Sequence, residues 1–188
     1  QTNLVTGPYK DSNLGKLVAR VINTGEFGFA DFAPYAPSNG EPAAFIAQPI
    51  VSDGGTEAIV ALQLPLDAIN RIMNVRDGMG ETGETILVGP EKLMRCDSQL
   101  YPDNLTVKAS FANPDYGKVD TEPVKEALSN QSSTRIVRSH AGVPVLSAYA
   151  PVDVFGKTWA LLAEVEEAEA LAEVDQINAA GHAATKAI

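Results

Sequence analysis

The chain has 188 residues and a net charge of −10, which speaks against nucleic acid or an anionic membrane surface as partner. Its single cysteine, Cys96, excludes an internal disulfide and leaves no second thiol for a metal site. No apolar run approaches the roughly 18 residues of a membrane span, and Gln1 in place of Met, without a basic-then-apolar leader, reads as an excised or processed piece.

In chain order, Asp11 or Ser12 caps a helix whose apolar residues fall at Leu14, Leu17, Val18, Val21 and Ile22, one stripe of a 3.6-residue period; Asn23-Thr24-Gly25 ends it. Residues 27–32 alternate aromatics as a half-buried strand does, and 34–42 form a turn. Two apolar strands, 43–49 and 57–64, meet across Ser52-Asp53-Gly54-Gly55. A helix follows Pro65, and the Gly-rich polar stretch 76–83 marks a module boundary. Beyond it, 84–88 and 93–97 read as a hairpin, 98–117 as loop, and 121–128 as a short helix with Pro123 in its first turn. Strands are expected at 134–138, 143–150 and 158–165, then a helix from Glu166 to about Ala179.

An internal repeat organises these elements. Pro42 to Pro49, then Gly55, an apolar strand and a helix, parallels Pro144 to Pro151, then Gly156, an apolar strand and a helix. Only the second copy is preceded by a hairpin. The first therefore reads as a module lacking its opening strands, with an open sheet edge.

Asp31 interrupts an aromatic strand and is followed by Tyr35 and Ser38. With Phe27, Phe29 and Phe45 they form the composition of a small-ligand pocket, polar groups set among rings. The alternative is that Asp31 caps a turn and Tyr35 packs. Arg95, Asp97 and Tyr149 either line a second pocket or, for Arg95 and Asp97, form a salt bridge at a hairpin end. Glu164, Glu166, Glu167 and Glu169 read as a solvated helical face and its approach. Gly78 to Gly83 is formally GxGxxG, but with helix before and strand after, the reverse of a nucleotide site. His140 and His182 lack metal-ligand spacing, no nucleophile or metalloprotease motif occurs, and neither an enzyme nor a cofactor is expected.

Met79-Gly-Glu-Thr-Gly-Glu-Thr-Ile-Leu-Val-Gly89, Leu93-Met-Arg-Cys-Asp-Ser98 and Val143-Pro-Val-Leu-Ser-Ala-Tyr-Ala-Pro-Val-Asp153 resemble the membrane-proximal module of double Cache sensor regions. Asp31-Phe-Ala-Pro-Tyr35, Ala44-Phe-Ile-Ala-Gln-Pro49 and Ala61-Leu-Gln-Leu-Pro65 resemble the end of the distal module. The resemblance implies an α+β fold of two tandem PAS-like modules with antiparallel sheets flanked by helices. The first (1–76) is N-terminally truncated, the second (77–165) is membrane-proximal, and 166–188 is a C-terminal signalling helix. It further implies the periplasmic part of an inner-membrane receptor, of chemotaxis type, in a kinase or in a cyclase. Such a receptor senses a small organic ligand such as an organic acid or amine, and its membrane contact lies in spans outside this segment. A homodimer through helices and a ligand-free docking module are the other expectations. In amino-acid-binding members an acid of the distal module's last strand meets the ligand's amine; Gln63 occupies the matching position, and Tyr35 matches the family's Pro-Tyr tyrosine.

Overall fold

A computed structural model describes residues 3–172. Helix α1 (Asn13–Thr24) starts where the Ser12 hydroxyl accepts the Gly15 N–H, and stops where Gly25, at φ 66°, turns its own N–H back to the Val21 carbonyl. Its Leu17, Val18 and Val21 are buried, as the stripe predicts, whereas Ile22 is exposed.

Strands β1 (Gly28–Pro34), β2 (Pro42–Ser52) and β3 (Gly55–Gln63) form an antiparallel sheet of that order, and helix α2 (Leu66–Met73) leaves it. After the 76–83 turn, β4 (Glu84–Val88) opens the second unit. Residues 93–97 do not form a second hairpin arm; only Met94 bridges back to Val88. Around that bridge the Arg95 N–H donates to the Leu87 carbonyl and the Gly89 N–H to the Leu93 carbonyl, so the arm is a single short bridge rather than a strand. Residues 98–117 are not all loop either, since α3 (Val107–Ala112) and α4 (Pro114–Gly117) lie within them. Thr106 caps α3 by accepting the Ala109 N–H, a cap-and-turn pattern in a stretch too short to show a helical period. Helix α5 (Glu122–Leu128) precedes β5 (Ser133–Arg138), β6 (Pro144–Val154) and β7 (Lys157–Glu166), and α6 (Glu167–Ala170) follows. The remainder of the expected C-terminal helix lies outside the described residues. The second sheet runs β4-β7-β6-β5, antiparallel throughout.

The repeat is visible in space. Each unit runs helix, three-strand meander, helix, and β2 and β6 are each 11 residues long from their opening proline. The difference lies at one edge: β7 is paired on both sides, β3 on one. Two cores follow. A small one holds Leu17, Val21, Tyr35, Phe45 and Ala47 between α1 and the first sheet. The larger is continuous across the units, joining Phe29, Phe32 and Ala44 to Trp159, Leu162, Val124 and Met94. The first sheet thus buries its second face against the second unit, which ties the two mechanically.

Candidate functional site

The expected pocket residues of the first unit fall on different faces. Tyr35 and Phe45 meet edge-on beneath α1, ring centroids 4.9 Å apart, and burial raises the Tyr35 phenol above its ordinary value. Gln63 lies opposite Phe45 in the ladder but is exposed, and Ser38 sits in the 3-10 turn Ala36–Ser38. Phe27 and Phe29 instead face the second unit, packing on Phe155 at the tip of the β6–β7 hairpin, 5.1 and 5.5 Å between ring centroids.

Asp31 joins neither group as a free acid. The ladder shifts register between Ala30 and Ala33, and such a bulge re-aims the side chains it carries. Asp31 there accepts Arg95 Nε at 2.8 Å, Arg95 Nη2 at 3.0 Å and Trp159 Nε1 at 3.1 Å. The Arg95 side chain is wholly buried. Its Nη1 donates to the Leu93 and Met94 carbonyls and its Nη2 also to Glu91, so the guanidinium has partners on every nitrogen. The rings of Phe32, Phe111 and Trp159 flank it at 5.3–5.9 Å.

Arg95, Asp97 and Tyr149 do not line one pocket, and Arg95 pairs with Asp31 rather than Asp97. Asp97 exchanges two 2.8 Å hydrogen bonds with Asn70 of α2 and accepts the Val107 N–H that opens α3. Tyr149 donates its hydroxyl to Glu126 of α5, and Arg135 binds the same carboxylate at 2.6 Å. These two bonds, the tyrosine's first, hold the Glu126 carboxyl below its ordinary range. Asp31–Arg95 and Asn70–Asp97 are therefore two polar ties between the units, and Tyr149 belongs to a third cluster.

Sequence reasoning missed the site on the inner face of the second sheet. Register sets Glu84, Glu164, Ser147 and Arg135 in one row across β4, β7, β6 and β5. Glu164 is a strand residue facing inward, not part of a solvated helix, because β7 runs on to Glu166. The alternation Ala160, Leu162, Glu164 on one face was the available signal. Ser98 donates to Glu84 at 2.7 Å. Burial, partly offset by a hydrogen bond with Ser147 and reinforced by the Glu84 charge, pushes the Glu164 carboxyl above its ordinary range. Tyr101 is raised by burial and then by the charges of Glu84, Glu166 and Glu164. A small cavity of about 20 Å³, lined by Thr82, Glu84, Tyr101, Val145 and Glu164 among others, adjoins the row. The opposite face carries an open hollow of about 470 Å³ over Thr134, Leu146, Ala148, Ala163 and Val165. At its rim Glu169 accepts the Glu81 and Thr82 N–H groups, both at 2.8 Å. No group of three or more His, Cys, Asp or Glu suited to a metal ion occurs among the described residues.

The fold is similar to that of solved sensory and ligand-binding domains. The periplasmic sensory domain of the Campylobacter jejuni chemoreceptor Tlp1 superposes with a TM-score of 0.57 at 13% identity, over 81% of this chain and 55% of that one. The ligand-binding domain of the Pseudomonas fluorescens chemoreceptor CtaA, solved with L-isoleucine, gives 0.54 at 15%, over 92% and 65%. That of the Pseudomonas aeruginosa amino acid chemoreceptor PctB, solved with L-Arg, gives 0.53 at 17%, over 96% and 64%. At these identities the likeness is one of fold, and the chain spans less than two thirds of each neighbour. No protein-family model matches the sequence, and no curated protein matches it. No helix among the described residues is long and apolar enough to cross a membrane.

Proposed function

We propose that this chain is the ligand-sensing part of a bacterial transmembrane receptor, two tandem Cache modules of which the first is represented by its C-terminal portion. The observation that carries the reading is the larger core, continuous across the two units, in a fold whose neighbours are sensory domains. A ligand that favours one arrangement of the first sheet also favours one arrangement of Phe29, Phe32 and Trp159, and through them of β7. Signalling is then a population shift, its size set by the ligand's differential affinity for the two arrangements. The output follows β7 into α6 toward the membrane. The ligand is a small organic molecule, an acid, an amine or an amino acid, and chemotaxis is the favoured output.

Thermal-shift screening against amino acids, organic acids, amines and purines tests this. A ligand present at 100 times its Kd adds about 2.7 kcal/mol, a shift of several degrees. A flat screen, with stabilisation only by another protein, overturns it. One observation favours that second reading of a docking module: β3 exposes Val60 and Leu62 along an unpaired edge.

A further inference from the structure

We propose that the outer edge of β3 is a self-association surface, on which β3 of a second copy of this chain pairs antiparallel about a two-fold axis at Val60. The internal repeat shows what such an edge accepts. β7, the counterpart of β3, has β6 on one side and β4 on the other, antiparallel to both. β3 has only β2, and among the described residues no strand takes the side that β4 takes on β7.

The edge also lacks the devices that keep a free edge unpaired. Residues 58–63 carry no charge, no proline and no bulge. The register shift lies before them, where Glu57 is the extra residue between Thr56 and Ala58. Val60 and Leu62, with Ile50 of β2, are exposed on one face of the sheet.

The phase of the ladder decides which backbone groups face outward. The Leu64 N–H donates to the Ala44 carbonyl at 2.9 Å, which makes these two a hydrogen-bonded pair. Such pairs alternate in an antiparallel ladder, so Leu62 and Val60 turn their N–H and C=O groups to β2 as well. Ile59, Ala61 and Gln63 turn theirs to the free edge. An axis at Val60 sets Ile59 against the second copy's Ala61, one outward residue against another. Ala58 then faces the second copy's Leu62, small against large. Glu57, the one charge of the strand, faces the second copy's Gln63 and not a like charge. An axis at Ala61 would draw Pro65, which has no N–H, into the ladder, and one at Ile59 would run it through the bulge. A second copy therefore matches this edge in hydrogen bonding, in size and in charge, as an isologous pair requires. The inference does not rest on the receptor reading.

The test is sedimentation equilibrium of the intact chain from micromolar to submillimolar concentration. A reversible dimer is expected, tighter as salt screens the net charge of −10. Val60→Lys and Val60→Glu each place like charges on the axis and should weaken the dimer at least tenfold, whereas their equimolar mixture should recover it. Ala61→Pro removes an outward N–H and spares the β2 ladder, and it should weaken the dimer by a similar factor. Both positions are exposed. If these variants nevertheless unfold, a cysteine pair decides. The two Val60 residues would form a non-hydrogen-bonded pair with Cα atoms about 4.5 Å apart, within reach of a disulfide. Val60→Cys should thus cross-link on mild oxidation, and Gln48→Cys, its exposed neighbour on β2, should not. A monomer throughout the range, a dimer indifferent to V60K and A61P, a mixture no tighter than its components, or equal cross-linking at both cysteines overturns the proposal. A failed dimer leaves the small-ligand screen untouched and a flat screen leaves the dimer standing, so the two readings fail separately.

Discussion

Arg95 holds both carboxylate oxygens of Asp31 across the boundary between the sheets, with Nε and Nη2 at 2.8 and 3.0 Å. The pair sits between aromatic rings contributed by both units. Removing one partner strands a buried charge, a cost of about 3–5 kcal/mol. Asp31→Asn and Arg95→Met should each lower stability on that scale in urea unfolding. The double variant should lose less than the sum, because neither charge is then left alone. Additive losses would show that the pair is not one unit.

Gly89 makes the Arg95 position sterically specific. A Cβ on Gly89 would lie 2.1 Å from Arg95 Cζ and Nη2, too close for any shift short of moving the guanidinium. Gly89→Ala should therefore destabilise by about 1–3 kcal/mol, the range for overpacking a dense core. On an Arg95→Met background much of that loss should vanish. Thermal melts of the two singles and the double give the comparison, and an undiminished loss in the double rejects a clash with Arg95.

The elements were largely legible because apolar period and turn chemistry are local. The matched prolines at 42 and 144 do open equivalent 11-residue strands. The site was less legible, for two physical reasons. A register shift between Ala30 and Ala33 decides which way Asp31 points, and no local pattern shows it. Asp31 and Arg95 are far apart in sequence, so their pairing depends on how the units dock. Glu164 is different: it was hidden by the run of glutamates after it, which reads as helix although β7 continues through it.

Cys96 should be chemically silent. Its side chain is buried, its sulfur accepts the Leu87 N–H at 3.1 Å, and burial pushes its thiol up to about 12. The thiolate, which is the nucleophile, is then nearly absent at pH 8. A disulfide reagent should label the folded protein only on the timescale of unfolding, and at once in denaturant. Rapid labelling of the native state would refute the packing around Cys96.

Glu164 lowers stability at neutral pH. Its folded carboxyl titrates above the ordinary 4.5 because burial disfavours the charge. The folded state therefore binds more protons than the unfolded one just above that value, and stability falls as pH rises through the window. Glu164→Gln should raise the thermal midpoint at pH 7.5, and the advantage should disappear at pH 4 and below. A variant less stable than wild type at pH 7.5 would contradict the sign.

Glu169 should behave in the opposite sense. It joins the segment after β7 to the turn before β4 by accepting the Glu81 and Thr82 N–H groups and the Thr82 hydroxyl. Those bonds, the Thr82 hydroxyl's first, hold its carboxyl below the ordinary 4.5. The stability it adds is present above that value and is lost as pH falls through the lower folded value. Glu169→Gln should melt earlier than wild type at pH 7, with the gap closing in acid. Because the tie holds the two ends of the second unit together, hydrogen exchange at Glu81 and Thr82 should accelerate in the same variant. Unchanged exchange there, with a lowered midpoint, would place the loss elsewhere than in these bonds.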